Sequence, residues 1–122
     1  MLYSPSGMPT VFVLGRDWTL RAGVRAELRE AGIEAVGMES VEDAATLIAA
    51  GTRPSVIVFD AGEGEAPGPE LERVAGGARI VVVASRTRTV APLPAAAMVL
   101  YRPVRIGEIV AHVVKLLQGE PS

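Results

Sequence analysis

The stretch "SVIVFDAGEGE", Ser55 to Glu65, is the one on which the fold turns. Val56, Ile57, Val58 and Phe59 make an unbroken, largely β-branched apolar run, the pattern of a strand covered on both faces. The run ends on a carboxylate, Asp60, and a Gly- and Glu-rich loop follows. Open α/β sheets gather their functional groups at the carboxyl ends of the strands, and Asp60 falls at such an end. The question is whether Asp60 does chemistry or fills a structural place.

Outward from this run, strands and helices alternate. "TVFVLG" (Thr10 to Gly15) reads as a buried strand, followed by a helix capped by Asp17 or Thr19 with Leu20, Val24 and Leu28 inward and Gly32 at its close. "IEAVGM" is a second strand. Ser40 and Asp43 then form a capping box for a helix that turns Ala44, Leu47 and Ile48 inward and ends at Gly51. After the Asp60 strand, a short helix is expected from Pro69 to about Val74, since Pro suits a first helical turn. "ARIVVVAS" and "AMVLY" are strands four and five, and a last helix spans about Ile106 to Leu117. Such alternation implies a parallel sheet with helices on both faces. One unit breaks the pattern: in "RTRTVAPLPAAA", Pro92 and Pro94 interrupt any full-length helix, so an irregular connection of at most one turn is expected. The first nine residues read as a mobile tail and residues 119–122 as a tail or linker start, leaving one domain over 10–118.

Composition narrows the function. The chain has 122 residues, 49% of them hydrophobic and 21% charged, which fits one globular domain. A net charge of −2 argues against direct nucleic-acid binding, and the small basic group Arg79, Arg86 and Arg88 lacks interleaved aromatics. With no Cys and a single His, His112, thiolate chemistry and Cys- or His-based metal sites are excluded. No apolar run reaches the ~18 residues of a membrane span. No signal peptide is legible at "MLYSPSGMP" either, so a cytoplasmic protein without membrane attachment is expected.

The joint spacing of these elements resembles the receiver (CheY-like) domain of bacterial two-component response regulators, over about Thr10 to Leu117. Asp60 in "SVIVFD" stands where that family has its phosphoryl-accepting Asp, and Gly68 stands eight residues on, where the family has a Gly opening helix three. "LRAGVRAELREAGIEAVGMESVEDA" is similar to the family's first helix, second strand and start of helix two. "YRPV" resembles the Lys-Pro pair after strand five, with Arg102 in the Lys place. The resemblance implies a flavodoxin-like five-stranded parallel sheet of order 2-1-3-4-5, here with helix four reduced or missing.

The departures bear on function. Family members hold Mg²⁺ with an acidic pair at the end of strand one, and Gly15 and Arg16 occupy those places here. Asp17 comes one position late. Magnesium demands near-octahedral oxygen ligation, and a lone Asp60 beside an Arg supplies too few donors. At the family's strand-four hydroxyl position the nearest match is Ala84, or Ser85 after a one-residue shift, which would turn that side chain to the other face. Arg102 is not a simple replacement for an ammonium. Val99 stands in the place of the switch aromatic, with Tyr101 two residues later on the same side of the strand.

The leading reading is a degenerate, pseudo-receiver module that signals by protein–protein contact and needs no metal, cofactor or catalytic residue. Asp60 would then sit in an ion pair with Arg16 or Arg102, because a buried carboxylate without a partner is costly. Two alternatives stand beside it: an atypical but active receiver phosphorylated at Asp60, and a small anion or nucleotide binder using Arg16 and Arg102. Against the latter, Glu63 and Glu65 in "GEGEAPG" would repel phosphate; that loop otherwise reads as solvated. In the last helix Ile106, Ile109, Val110, Val113, Val114, Leu116 and Leu117 cover an arc of roughly 160°. That arc, with Val99, Tyr101 and the Val90–Ala97 connection, suggests a face for a signalling partner, an effector domain or a second copy. Core burial alone also explains most of it. Trp18 is a candidate partner anchor or a cover for the first helix, and His112 is expected to face solvent.

Overall fold

In a computed structural model, residues 9–61, 68–85 and 97–119 are described. Among them lie five strands, β1 (Thr10–Leu14), β2 (Glu34–Met38), β3 (Val56–Asp60), β4 (Arg79–Ser85) and β5 (Met98–Arg102). The helices are α1 (Trp18–Glu30), α2 (Val41–Ala49), α3 (Gly68–Ala75) and α4 (Ile106–Leu117). The strands form one parallel sheet in the order β2-β1-β3-β4-β5, as the sequence suggests. The expected loss of a helix between β4 and β5 concerns residues 86–96, which lie outside the described residues, as do both chain ends and the acidic loop at 62–67.

Strand periodicity sorts the core into two layers. Val11, Val13, Val56, Val58, Val81 and Val83 point to one face, where they meet Leu20, Val24 and Leu28 of α1 and Ile109 and Val113 of α4. Phe12, Leu14, Ile57, Phe59, Ile80 and Val82 point to the other, against Ala44 of α2 and Leu71 and Ala75 of α3. All five residues of β3 are buried, so each of its apolar side chains contributes about 1.5–3 kcal/mol relative to exposure. This central strand holds Asp60 in a fixed place at its end.

Local signals set the helix ends. The Asp17 carboxylate accepts from the N–H groups of Thr19 (3.0 Å) and Leu20 (3.4 Å), which makes Asp17, and not Thr19, the cap of α1. At the other end Gly32 adopts φ +82°, with Ile33 N–H donating to the Leu28 carbonyl (2.9 Å) and Gly32 N–H to that of Arg29 (3.0 Å). That is a Schellman closure, and its left-handed residue favours glycine. The Ser40 hydroxyl accepts from Asp43 N–H at 3.1 Å. The helices α1 and α4 pack closely: a Cβ on Gly23 would come within 2.3 Å of Ile106 Cδ1. No helix among the described residues is long and apolar enough to cross a membrane.

Candidate functional site

The site lies where β1, β3, β4 and β5 end. Asp60 follows Val56 and Val58 at the strand period, so its carboxylate emerges on the α1/α4 side of the sheet. It is 5% exposed, the sole charged residue in the described core. From β5, the Arg102 guanidinium donates through Nη2 to Asp60 Oδ1 at 2.5 Å, a charge-assisted contact to an all but enclosed carboxylate. Arg102 can reach it because Arg102 shares the side of β5 that carries Leu100, which packs in the α1/α4 layer. Of the two arginines considered from the sequence, Arg102 pairs with Asp60 across β4, and Arg16 lies exposed on the β1–α1 turn. The Arg102–Pro103 peptide bond that follows is cis.

Gly15 closes the site from β1. A Cβ at this position would lie 2.7 Å from Asp60 Cβ, inside any tolerable contact. The main chain of Gly15 is itself held, its N–H donating to the Met38 carbonyl at 3.1 Å and its carbonyl accepting from Arg21 Nη1. The position that resembles half of an acidic pair therefore has no room for a carboxylate while Asp60 stays where it is. Asp17 is engaged in capping α1. Arg16 brings a positive charge, and Oδ1 of Asp60 already meets a guanidinium. Among the described residues no three His, Asp or Glu side chains converge as a cation set. These donors do not fit a magnesium ion.

The strand-four hydroxyl requires a correction. Ala84 is fully buried in the α2/α3 layer and faces away from Asp60. Ser85 falls on the same side as Val81 and Val83, the side of Asp60, and pairs in register with Arg102. The sheet thus places Ser85, and not Ala84, beside the Asp60–Arg102 pair. Sequence pattern alone named both residues and put Ala84 first, because strand parity is anchored by which layer the preceding valines enter.

The expected partner face is also corrected. Ile109 and Val113 are wholly buried and Val110 is 9% exposed, because α4 spends most of its apolar arc on the sheet and on α1. Ile106 and Leu117 are half-buried against the same layer. Val99 packs in the α2/α3 layer, on the opposite side of the sheet from α4. Val99 and the α4 residues therefore do not form one surface. Tyr101, 46% exposed, and Trp18, 68% exposed, are the large apolar side chains that reach solvent among the described residues, so Trp18 does not cover α1. His112 does not simply face solvent: it is half-buried, and its Nδ1 is enclosed with no hydrogen-bond partner. Its place three residues after Ile109 and four before Leu116, both buried, puts it on the flank of the apolar arc.

No protein-family model matches the chain, and no curated protein does. Among solved structures, the chain is similar to a response regulator receiver protein from Sinorhizobium medicae WSM419 (20% identity, TM-score 0.71, covering 91% of this chain and 95% of that one). It is similar as well to a response regulator receiver protein from Pseudomonas putida (23%, 0.67, 88% and 97%). A CheY-like receiver domain protein from Methanospirillum hungatei JF-1 matches at 15% identity and TM-score 0.69, with 92% and 98% covered. At these identities the likeness is one of fold. The chain has the CheY-like, flavodoxin-type fold, and its function has to be argued from the site.

Proposed function

We propose that this domain is a pseudo-receiver, a cytoplasmic signalling module that acts by protein–protein contact without Mg²⁺-dependent phosphorylation of Asp60. The observation that carries the reading is the Arg102–Asp60 pair, 2.5 Å long and reaching a side chain 2% exposed. A guanidinium held there supplies the positive charge that the buried carboxylate requires. With Gly15 against Asp60, residue 15 has no room for one of the further carboxylates that a metal ion would need. Signalling as the role is supported by the fold alone. The partner is a signalling protein or an effector domain. The exposed aromatics Trp18 and Tyr101, each beside the carboxyl end of a strand, are the side chains best suited to meet it or a second copy.

One observation favours the second reading, an atypical receiver phosphorylated at Asp60. Ser85 lies on the same side of the sheet as Asp60 and directly across from Arg102, so a hydroxyl and a cation share the carboxylate's side of the sheet. The anion or nucleotide reading has less support, since Arg102 is committed to Asp60.

Trp18 fluorescence, followed through a Mg²⁺ titration with and without beryllofluoride, separates the two. Trp18 opens α1 directly after the β1 turn and is the sole Trp. An unchanged signal from folded protein is the expected result. A saturable change that disappears in Asp60→Ala overturns the pseudo-receiver reading and supports an active switch.

A further inference from the structure

The edge strand β2 is treated differently from the rest of the sheet. Gly15 N–H donates to the Met38 carbonyl across the parallel ladder, so Glu34, Val36 and Met38 turn their main-chain groups towards β1. By the same alternation Ala35 and Gly37 turn theirs away from the sheet. These are small residues on a strand that, among the described residues, has no neighbour on its outer side in the sheet order. An edge of this kind is a template for pairing with another chain.

Two arginines of α1 lie over it. Arg25 Nε donates to the Ala35 carbonyl at 3.3 Å, one of the outward-turned acceptors. The stems of Arg25 and Arg21 occupy the space that a side chain at residue 37 would fill: a Cβ there would meet Arg25 Cδ at 2.9 Å and Arg21 Cγ at 3.0 Å. Gly37 therefore seats the arginine stems, and the helical spacing of Arg21 and Arg25 brings both to that seat. Arg21 is anchored further along by its bond to the Gly15 carbonyl. Arg25 is the one that reaches the open edge.

We propose that Arg25, seated on Gly37, is an edge guard that keeps β2 from pairing with β2 of a second copy of this chain. A bulky, charged guanidinium on an outward carbonyl takes the acceptor that an incoming strand needs and adds like-charge repulsion between two approaching copies. The proposal rests on the sheet edge and is independent of what Asp60 does, so its failure leaves the pseudo-receiver reading standing.

The test compares wild type with Arg25→Ala by sedimentation equilibrium and by concentration-dependent amide hydrogen exchange. The association constant of the variant should rise about tenfold, the gain expected from one freed hydrogen-bonding position. The amides of Ala35 and Gly37 should exchange more slowly as concentration increases, while that of Val36, already turned to β1, stays unchanged. Arg25→Met, which keeps the stem over Gly37 but removes the donor, should behave in the same way and replaces Arg25→Ala if the latter does not fold. Unaltered association of a folded variant overturns the proposal. So does association without slowed exchange at Ala35 and Gly37, since the contact would then lie elsewhere.

Discussion

Each edge strand of the sheet is served by an arginine, and the two arginines are used in opposite ways. On β5, Arg102 reaches inward past β4 to a carboxylate on β3 that is all but enclosed. On β2, Arg25 comes down from α1 and reaches outward to a neutral carbonyl at the open edge. The functional group is the same, but what it meets differs in burial and charge. Losing the first takes a charge-assisted contact from a buried anion, whereas losing the second returns one carbonyl to water. Arg102 is thus a matter of stability, and Arg25 one of what the domain assembles with.

The largest effect expected is for Arg102→Met, which should destabilise the domain by about 3 kcal/mol in urea unfolding. The figure is at the low end for a broken buried pair because the Arg102 side chain is 36% exposed. Adding Asp60→Asn to that variant should recover much of the loss, since the charge that needed a partner is then gone. A double variant no more stable than Arg102→Met would mean that the pair matters for packing and not for charge. Gly15→Ala comes next, at about 2 kcal/mol from overpacking against Asp60 Cβ. If its melting temperature equals that of wild type, the site has room that the geometry denies, and a carboxylate at residue 15 becomes feasible again.

Asp17→Ala should cost about 1 kcal/mol through loss of the α1 cap. Because that carboxylate serves the helix, the loss should be the same with and without Mg²⁺ present. A Mg²⁺-dependent difference would make Asp17 a candidate metal ligand. Arg25→Ala is the smallest, within about 0.5 kcal/mol of wild type in unfolding at low concentration. A loss as large as that of Arg102→Met would erase the contrast between the two arginines.

Much of this was legible from residue order. The β-branched runs at Val56–Phe59 and Arg79–Ser85, the Asp17 and Ser40 caps and the Gly32 closure specify the elements by local physics, and the alternation specifies a parallel sheet. That Asp60 ends the central strand followed from the same run. Less legible was the company it keeps. Whether Ala84 or Ser85 sits beside it depends on which layer the β4 valines enter, and that is set by the neighbouring strands. The same holds for the guard on β2, although Arg21 and Arg25 at helical spacing, together with a glycine inside a strand, were signals that pointed to a close approach.

The wide apolar arc of α4 shows where local reading stops. Its periodicity correctly describes a helix with one apolar side, but the same pattern serves a core helix and an interface helix equally well. Only the packing of Ile109, Val110 and Val113 against the sheet and α1 decides for the core, and it leaves Val99 on the far side. The amino-acid sequence by itself determined the element types, their order and the carboxylate at the end of β3, because those follow from contacts a few residues apart. The tertiary structure decided that Arg102 reaches Asp60, that Ser85 faces the pair and that Gly15 closes it. Those contacts join residues far apart in the chain, and their geometry exists only once the strands have taken their register.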